Sequence, residues 1–403
     1  MPINSKLAQH QQQRIQHHIQ QSDSYSFFNL LTSPDLLSTV EALLPEHRER
    51  LYPPTETLSM FLSQALSQDR SCQKAVNDAA VKRMVGGLPP VSTTTGGYCR
   101  ARQRLPVSMV SELVCCTGEL IDSQVPEQWR WDGRRVRLID GTCVTMPDTA
   151  ANQAIYPQQR LQKPGLGFPI CRLVGVICLS SGAVLNAAMG PFYGKGSDEQ
   201  TLLRTLLDTF ASGDLVLGDA YYGTYFLLAS LLDKGVDAVF EQMGARKRVT
   251  DFRTGKRLGT KDHVIELSKP KNKPEWMTQA QYESAPDRLQ IRELAIKGKV
   301  LITTLLSPKA TPKSQLRKLY QRRWQIEVDF RHIKTTMGME TLSCKTPQMN
   351  QKEIYIYLLA YNLIRLLMAQ SALLADMLPR QISFKHTLQL WLAWSQHGVA
   401  MMA

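Results

Sequence analysis

Val136-Arg137-Leu138-Ile139-Asp140-Gly141-Thr142 is the stretch on which the fold turns. Apolar strand-forming residues run into an acid, and a glycine and a threonine follow at once. Leu215-Val216-Leu217-Gly218-Asp219 repeats the pattern, closing on an acid before Ala220-Tyr221-Tyr222-Gly223. For either acid alone, capping a turn is the better reading. Two neighbouring strands that both end on an acid say more, because they bring two carboxylates to one sheet edge. Such a pair repels at neutral pH unless a cation lies between them.

Working outward, residues 169–179 and 183–189 read as two β-runs joined by the hairpin signal Ser180-Ser181-Gly182. A helix over 198–210 precedes the second acid. A helix over 224–233 and a strand over 236–240 follow it. Three early strands, then helix, strand, helix and strand, is the order of an RNase H-like core, an α/β sheet with an antiparallel start. The pattern stops at Gln242. Residues 246–273 carry ten Lys/Arg against three Asp/Glu, and the short alternating runs 264–267 and 289–294 indicate strands. The expected organisation is a core over 126–241, a basic β-rich insertion over 242–299, the rest of the core over 300–370 and a helical region over 371–403.

Residues 1–125 read as a helical N-terminal domain, with helices opened by Ser33-Pro34-Asp35 and Pro53-Pro54-Thr55 and another closed by Gly86-Gly87. After a polar hinge at 92–97 comes a basic helix that carries Tyr98, Arg100, Arg102, Gln103 and Arg104. Its arginines spread around the helix rather than forming one stripe. A helix laid on DNA and a solvated helix packed on the core both fit, and the Tyr and Gln favour DNA.

The 403 residues suffice for two or three domains, and 43% apolar and 21% charged content is ordinary for a globular protein. A formal charge of +13 is not ordinary and points to a polyanion, nucleic acid above all. The Gln/His-rich start, including His17 and His18, lacks the apolar run of a signal peptide. The most apolar stretch, 354–378, contains Asn362, Arg365 and Asp376 and reads as a buried helix rather than a membrane span. Eight cysteines without a CxxC pair suggest neither a zinc site nor a disulfide framework, which fits a reducing cytoplasm.

One further pattern carries chemistry. On a single helix, Tyr320, Arg323, Glu327 and Lys334 fall within an arc of about 60°, with Arg331 beside them. Ile326, Phe330, Ile333 and Met337 form a neighbouring apolar face. By itself the stripe reads equally as a salt-bridged surface helix. With Asp140 and Asp219 it supplies a third carboxylate, Glu327, and the set becomes an all-oxygen pocket suited to Mg²⁺ or Mn²⁺. Two such ions about 3.5–4 Å apart suit in-line displacement at phosphorus.

The spacing Tyr320-x2-Arg323-x3-Glu327-x6-Lys334, together with Leu138-Ile139-Asp140-Gly141-Thr142 and Gly218-Asp219-Ala220-Tyr221-Tyr222-Gly223, resembles the cut-and-paste DDE transposases of bacterial insertion sequences, insertion-sequence family four. Residues 355–365 resemble the helix that follows the signature in that family, and the likeness runs from about 30 to 395. It implies a metal-binding catalytic triad of Asp140, Asp219 and Glu327, with two Mg²⁺ per site and Mn²⁺ as a substitute. Tyr320, Arg323 and Lys334, with Arg331 beside them, would hold the transposon-end strand.

The resemblance further implies binding of terminal inverted repeats, excision through a DNA hairpin, and joining of the 3′ ends to target DNA. Its partners would be double-stranded DNA and a second copy in a synaptic dimer, with no membrane and no nucleotide cofactor; its place would be the bacterial cytoplasm, at the nucleoid when bound. Family members flip a base from the hairpin end. Trp276 is the candidate to stack on it, against the alternative of ordinary packing. Lys195 and Glu199 stand before the second acid, where a helix N-terminus rich in acids explains Asp198 and Glu199 equally well. The competing functions are a catalytically inert DNA-binding protein and an RNase H-like nuclease without strand transfer.

Overall fold

The computed structural model describes residues 51–397 apart from 86, 88, 164, 195 and 244–249. Ser33-Pro34-Asp35, His17, His18, Lys195 and the basic triplet Arg246-Lys247-Arg248 lie outside the described residues.

In chain order the elements begin with four helices, α1 (Pro54–Leu66), α2 (Cys72–Val85), α3 (Gly96–Arg104) and α4 (Val107–Ser123). Next come β1 (Val136–Thr145), α5 (Ala150–Ile155), β2 (Ile170–Cys178), β3 (Val184–Pro191), α6 (Glu199–Arg204), β4 (Leu215–Leu217), α7 (Tyr225–Asp233) and β5 (Asp237–Glu241). The chain continues through β6 (Lys256–Gly259), β7 (Asp262–Ser268), α8 (Gln279–Ser284), β8 (Arg288–Ile296) and β9 (Lys299–Thr303). Helices α9 (Lys313–Gln321), α10 (Trp324–Arg331), α11 (Pro347–Ala375) and α12 (Phe384–His397) complete it. These elements form two compact units: one of Val125–Cys143 with Tyr156–Phe330, the other of Val144–Ile155, Arg331 onward and the chain up to Gln124.

The first unit is a mixed α/β structure on a nine-stranded sheet of order β3-β2-β1-β4-β5-β9-β8-β7-β6. β1, β4 and β5 pair in parallel. β2 with β3, and every pair from β5 to β6, is antiparallel. β4 is Leu-Val-Leu and wholly buried, as a central parallel strand covered on both faces should be. One sheet face buries Ile139, Val216 and Ala238 beneath Leu202 and Leu203 of α6 and Phe226, Leu228 and Leu231 of α7. Residues 242–299 bring β6, β7 and β8, which extend this same sheet beyond β9. Within that extension, Arg292 donates two hydrogen bonds to Asp262, at 2.8 and 2.6 Å, and both side chains are buried.

Two sequence expectations change here. β1 does not end at Asp140 but runs on to Thr145, so the acid sits inside the strand. The proposed single helix over the Tyr320 stripe is two. Arg322 N–H bonds to Leu319 O, Arg323 to Tyr320 O, Gln325 to Arg322 O and Ile326 to Arg323 O, all three residues back, so the turn between α9 and α10 is wound tightly. Neither glycine nor proline marks that junction in the sequence.

The second unit is helical, built around the 29-residue α11. By length and composition α11 would cross a membrane, yet most of its apolar stretch is buried within the unit. It packs on α4 and α1, and its polar residues find partners there. Asn362 Nδ2 donates to Val114 O at 3.1 Å, and Lys352 Nζ donates to Gln103 O at 2.7 Å. Buried polar groups are tolerated when so satisfied, and α11 is the core helix the sequence predicts. Phe384 of α12 stacks on His332 with ring centroids 4.7 Å apart, and α12 thereby helps complete this core.

The basic helix α3 needs a correction at two of its five named residues. Tyr98 and Arg102, expected on DNA, are buried. The Tyr98 hydroxyl donates to Gln64 Oε1 at 2.8 Å. Arg102 reaches Gln64 and Cys72 and lies over the Phe61 and Tyr98 rings. Their spread around the helix is the cause, since a helix packed on one side must turn some of those residues inward. Arg100, Gln103 and Arg104 are exposed.

Candidate active site

The strand register sets the acids. Val136, Arg137 and Leu138 pair with Leu215, Val216 and Leu217, and the same offset carried two residues on places Asp140 level with Asp219. Leu215, Val216 and Leu217 pair in turn with Asp237, Ala238 and Val239, which places Asp219 level with Glu241. Three adjacent parallel strands thus bring three acids to one row, just past β4, at the last residue of β5 and midway along β1. Neighbouring strands lie about 4.8 Å apart, so the row is crowded with like charge. Glu241 was not singled out from sequence. The signal was there, because it follows an apolar run as Asp140 and Asp219 do.

Helix residues answer this row from above. Arg323 donates to Asp140 Oδ2 at 3.3 Å and to Glu327 Oε1, one turn along, at 2.6 Å. The Tyr320 hydroxyl donates to Glu241 Oε2 at 3.3 Å, and Lys299 Nζ is 2.6 Å from the same oxygen. The tight turn between α9 and α10 has this consequence: Tyr320 reaches the end of β5 while Arg323 reaches β1. Asp219 accepts the Tyr221 N–H at 2.8 Å, and Asp140 accepts the Gly141 N–H at 2.8 Å.

A further acid comes from the other side. Asp198 caps α6 by accepting the Thr201 N–H, as a helix N-terminus predicts, but the Glu199 carboxylate lies over Gly141, near enough to Asp140 to raise its carboxyl. The Tyr222 hydroxyl donates to Glu199 Oε2 at 3.1 Å.

A family model described as the transposase DDE domain matches residues 131–363, more than half of the chain. The chain belongs to the DDE transposase family. The transposase is 28% identical over 347 residues to transposase InsG for insertion sequence element IS4 of Escherichia coli (strain K12), across 84% of this chain and 75% of that one. Both findings agree with the family that the spacing of Tyr320, Arg323, Glu327 and Lys334 suggests. A cryo-EM structure of the piggyBac transposase synaptic complex with hairpin DNA is also similar, with a TM-score of 0.49, 10% identity and coverage of 94% of this chain and 81% of that one.

Electrostatics in the transposase follow from burial first and from this crowding second. Burial, more than any other cause, pushes the Asp140 carboxyl up to about 6; Asp219 and Glu199 add to the rise, while the Gly141 N–H and Arg323 oppose it. Burial likewise raises Glu199, with Asp219 and Asp198 adding to it and Tyr222 and Arg172 opposing. Burial alone would lower the Arg323 guanidinium, yet its bond to Glu327 and the nearby Tyr320, Asp140 and Glu327 hold it above its ordinary value. The Tyr320 hydroxyl is raised by burial and by Glu241.

Among the described residues, no three His, Cys, Asp or Glu side chains are gathered tightly enough to hold a metal ion as they stand. The donor chemistry nevertheless fits a hard divalent cation. Every candidate ligand is a carboxylate, and the Arg323 guanidinium now bridges two of them, standing where positive charge is required.

The remaining expected residues are scattered. Arg331, exposed, and Lys334, half-buried in a π-helical turn over His332–Thr336, belong to the helical unit. Trp276 is 44% exposed, with the Arg204 guanidinium 3.9 Å above its ring and Phe226 against its edge.

Proposed function

We propose that this transposase binds the terminal inverted repeats of an insertion sequence, frees it through a hairpin-ended intermediate and joins the 3′ ends to target DNA. The observation that supports the reading best is the register that sets Asp140 level with Asp219, with Arg323 joining Asp140 to Glu327. In a DDE family member on a sheet of the RNase H-like order, that is the arrangement of a phosphoryl-transfer centre. Asp140, Asp219 and Glu327 would hold two Mg²⁺ or Mn²⁺ ions, which activate the attacking oxygen and stabilise the leaving 3′ oxygen when bound.

The chain's own residues do the rest. Arg323, which here bridges Asp140 and Glu327, would offer its donors to a phosphate oxygen of the bound end, a role suited to its planar fork. Tyr320, Lys334 and Arg331 hold the end strand, and Trp276 receives a base displaced from the hairpin, a stack worth about 1–3 kcal/mol. The exposed Arg100 and Arg104 contact the DNA backbone. The 1–125 domain reads the ends, 126–241 and 300–370 form the catalytic core, 242–299 adds a basic DNA-facing edge, and 371–403 closes the helical part. The protein works in the bacterial cytoplasm on double-stranded DNA, as a dimer in which each active site cuts the partner's end.

A labelled duplex carrying the element's end, with Mg²⁺, tests this. Hairpin product that disappears in Glu327→Ala while end binding survives supports the reading. Binding without cleavage in Mg²⁺ or Mn²⁺ leaves an inert DNA-binding protein, and nicking without hairpin or joining leaves a simple nuclease. In the same assay Lys334→Ala should lose end binding or hairpin yield; unchanged yields remove Lys334 from the site.

A further inference from the structure

Glu199, Gly141 and Tyr222 form a device for which the triad offers no explanation. A Cβ on Gly141 would stand 2.3 Å from the Glu199 carboxyl carbon and 2.4 and 2.7 Å from its oxygens. Only a residue without a side chain lets that carboxylate lie where it does. Along β1, residues 139 and 141 face one way and Asp140 the other. Ile139 indeed packs with Leu202 and Leu203 of α6, so Glu199 approaches the strand from the face opposite the Asp140 side chain. The missing side chain at position 141 leaves the space that the Glu199 carboxylate fills, against the strand that carries Asp140.

The turn after the second acid is fitted to the same group. Tyr222 is fully buried and spends its hydroxyl on Glu199. Gln200 Nε2 donates to Tyr221 O at 2.5 Å, and Thr224 donates to Gln200 Oε1 at 3.2 Å. The residue after Asp140 and the turn after Asp219 therefore both converge on Glu199. A half-buried carboxylate raised by its acidic neighbours is costly unless a cation compensates it.

We propose that Glu199 is a fourth carboxylate of the active centre, sharing the divalent-ion site with Asp140 and Asp219, and that Gly141 and Tyr222 are its positioning residues. The inference rests on the metal-dependent reading above. It gives the ion oxygen ligands from both faces of the sheet end.

Mn²⁺ titration of the full chain, following the free ion by electron paramagnetic resonance with a melting curve alongside, tests it without any activity readout. Asp140→Asn reports on the underlying reading. If wild type binds no Mn²⁺, or Asp140→Asn binds it as well as wild type, that reading fails and this inference with it. Provided those two differ, Glu199→Gln should weaken Mn²⁺ binding about tenfold or more. The amide still accepts from Tyr222, so a purely structural role would leave affinity unchanged. Gly141→Ala should weaken it in the same direction, and the double variant should be no worse than Glu199→Gln. Affinity in Glu199→Gln within twofold of wild type overturns the assignment while leaving the triad intact. Should Glu199→Gln not fold, Gly141→Ala decides on the same criterion.

Discussion

Replacing Asp140 by Asn should make the metal-free protein more stable at neutral pH while abolishing its function. The carboxyl has a folded pKa of about 6 against an ordinary 3.8, so folding favours its protonated form. Its stabilising contribution is complete below pH 4 and is lost as pH rises through 6, leaving a penalty at pH 7.5. At about 1.4 kcal/mol per pKa unit the displacement corresponds to about 3 kcal/mol. Asparagine imitates the protonated acid. It still accepts the Gly141 N–H, and Arg323 keeps its 2.6 Å bond to Glu327 when Asp140 is neutralised. A gain of about 2–3 kcal/mol is therefore expected, or roughly 4–10 °C in melting temperature for a unit of this size. Scanning calorimetry in EDTA at pH 7.5 and pH 4 measures it. The gain should shrink toward zero at pH 4, and Mg²⁺ should stabilise wild type but not the variant. A variant no more stable than wild type at pH 7.5, or a gain of equal size at both pH values, refutes the argument that Asp140 is held at an electrostatic cost.

Three other outcomes follow from the same geometry. Arg292→Ala leaves Asp262 buried without its partner, and urea unfolding should show a loss of about 3–5 kcal/mol; a loss under 1 kcal/mol would mean the pair is open to water. Glu241→Gln removes the charge that pairs with Lys299, so duplex binding should tighten at low salt and its dependence on log salt should steepen by about one; an unchanged slope would mean that the freed Lys299 does not meet DNA. Arg102→Ala should lower the melting temperature through the cluster with Gln64, Cys72, Phe61 and Tyr98. Arg100→Ala should leave stability within about 0.5 kcal/mol and weaken DNA binding instead, and the reverse pattern would contradict the burial of α3.

Much of this protein is written locally. The apolar runs before Asp140 and Asp219, the hairpin at Ser180-Ser181-Gly182 and the long apolar stretch of α11 are short-range patterns, and each became the element it predicts. The family signature is local too, since Tyr320, Arg323, Glu327 and Lys334 span barely four helical turns. These features depend on side-chain periodicity and on which residues begin or end an element, and both are visible along the chain.

What depends on register and on the opposite sheet face was decided in three dimensions. That Glu241 joins the row of Asp140 and Asp219 follows from how β1, β4 and β5 align, which no single strand's sequence states. The break between α9 and α10 has no glycine or proline to announce it. Tyr98 and Arg102 turned inward because packing selects one side of a helix, and composition cannot say which. Glu199 looked like one acid of a helix start until the fold brought it against Gly141 and Tyr222, residues 58 and 23 positions away. Most elements and the family signature rest on local periodicity and spacing and so are legible along the chain. Which acids come level with one another, and which basic side chains pair with them, is set by the fold, because charge interactions depend on distance in space rather than along the chain.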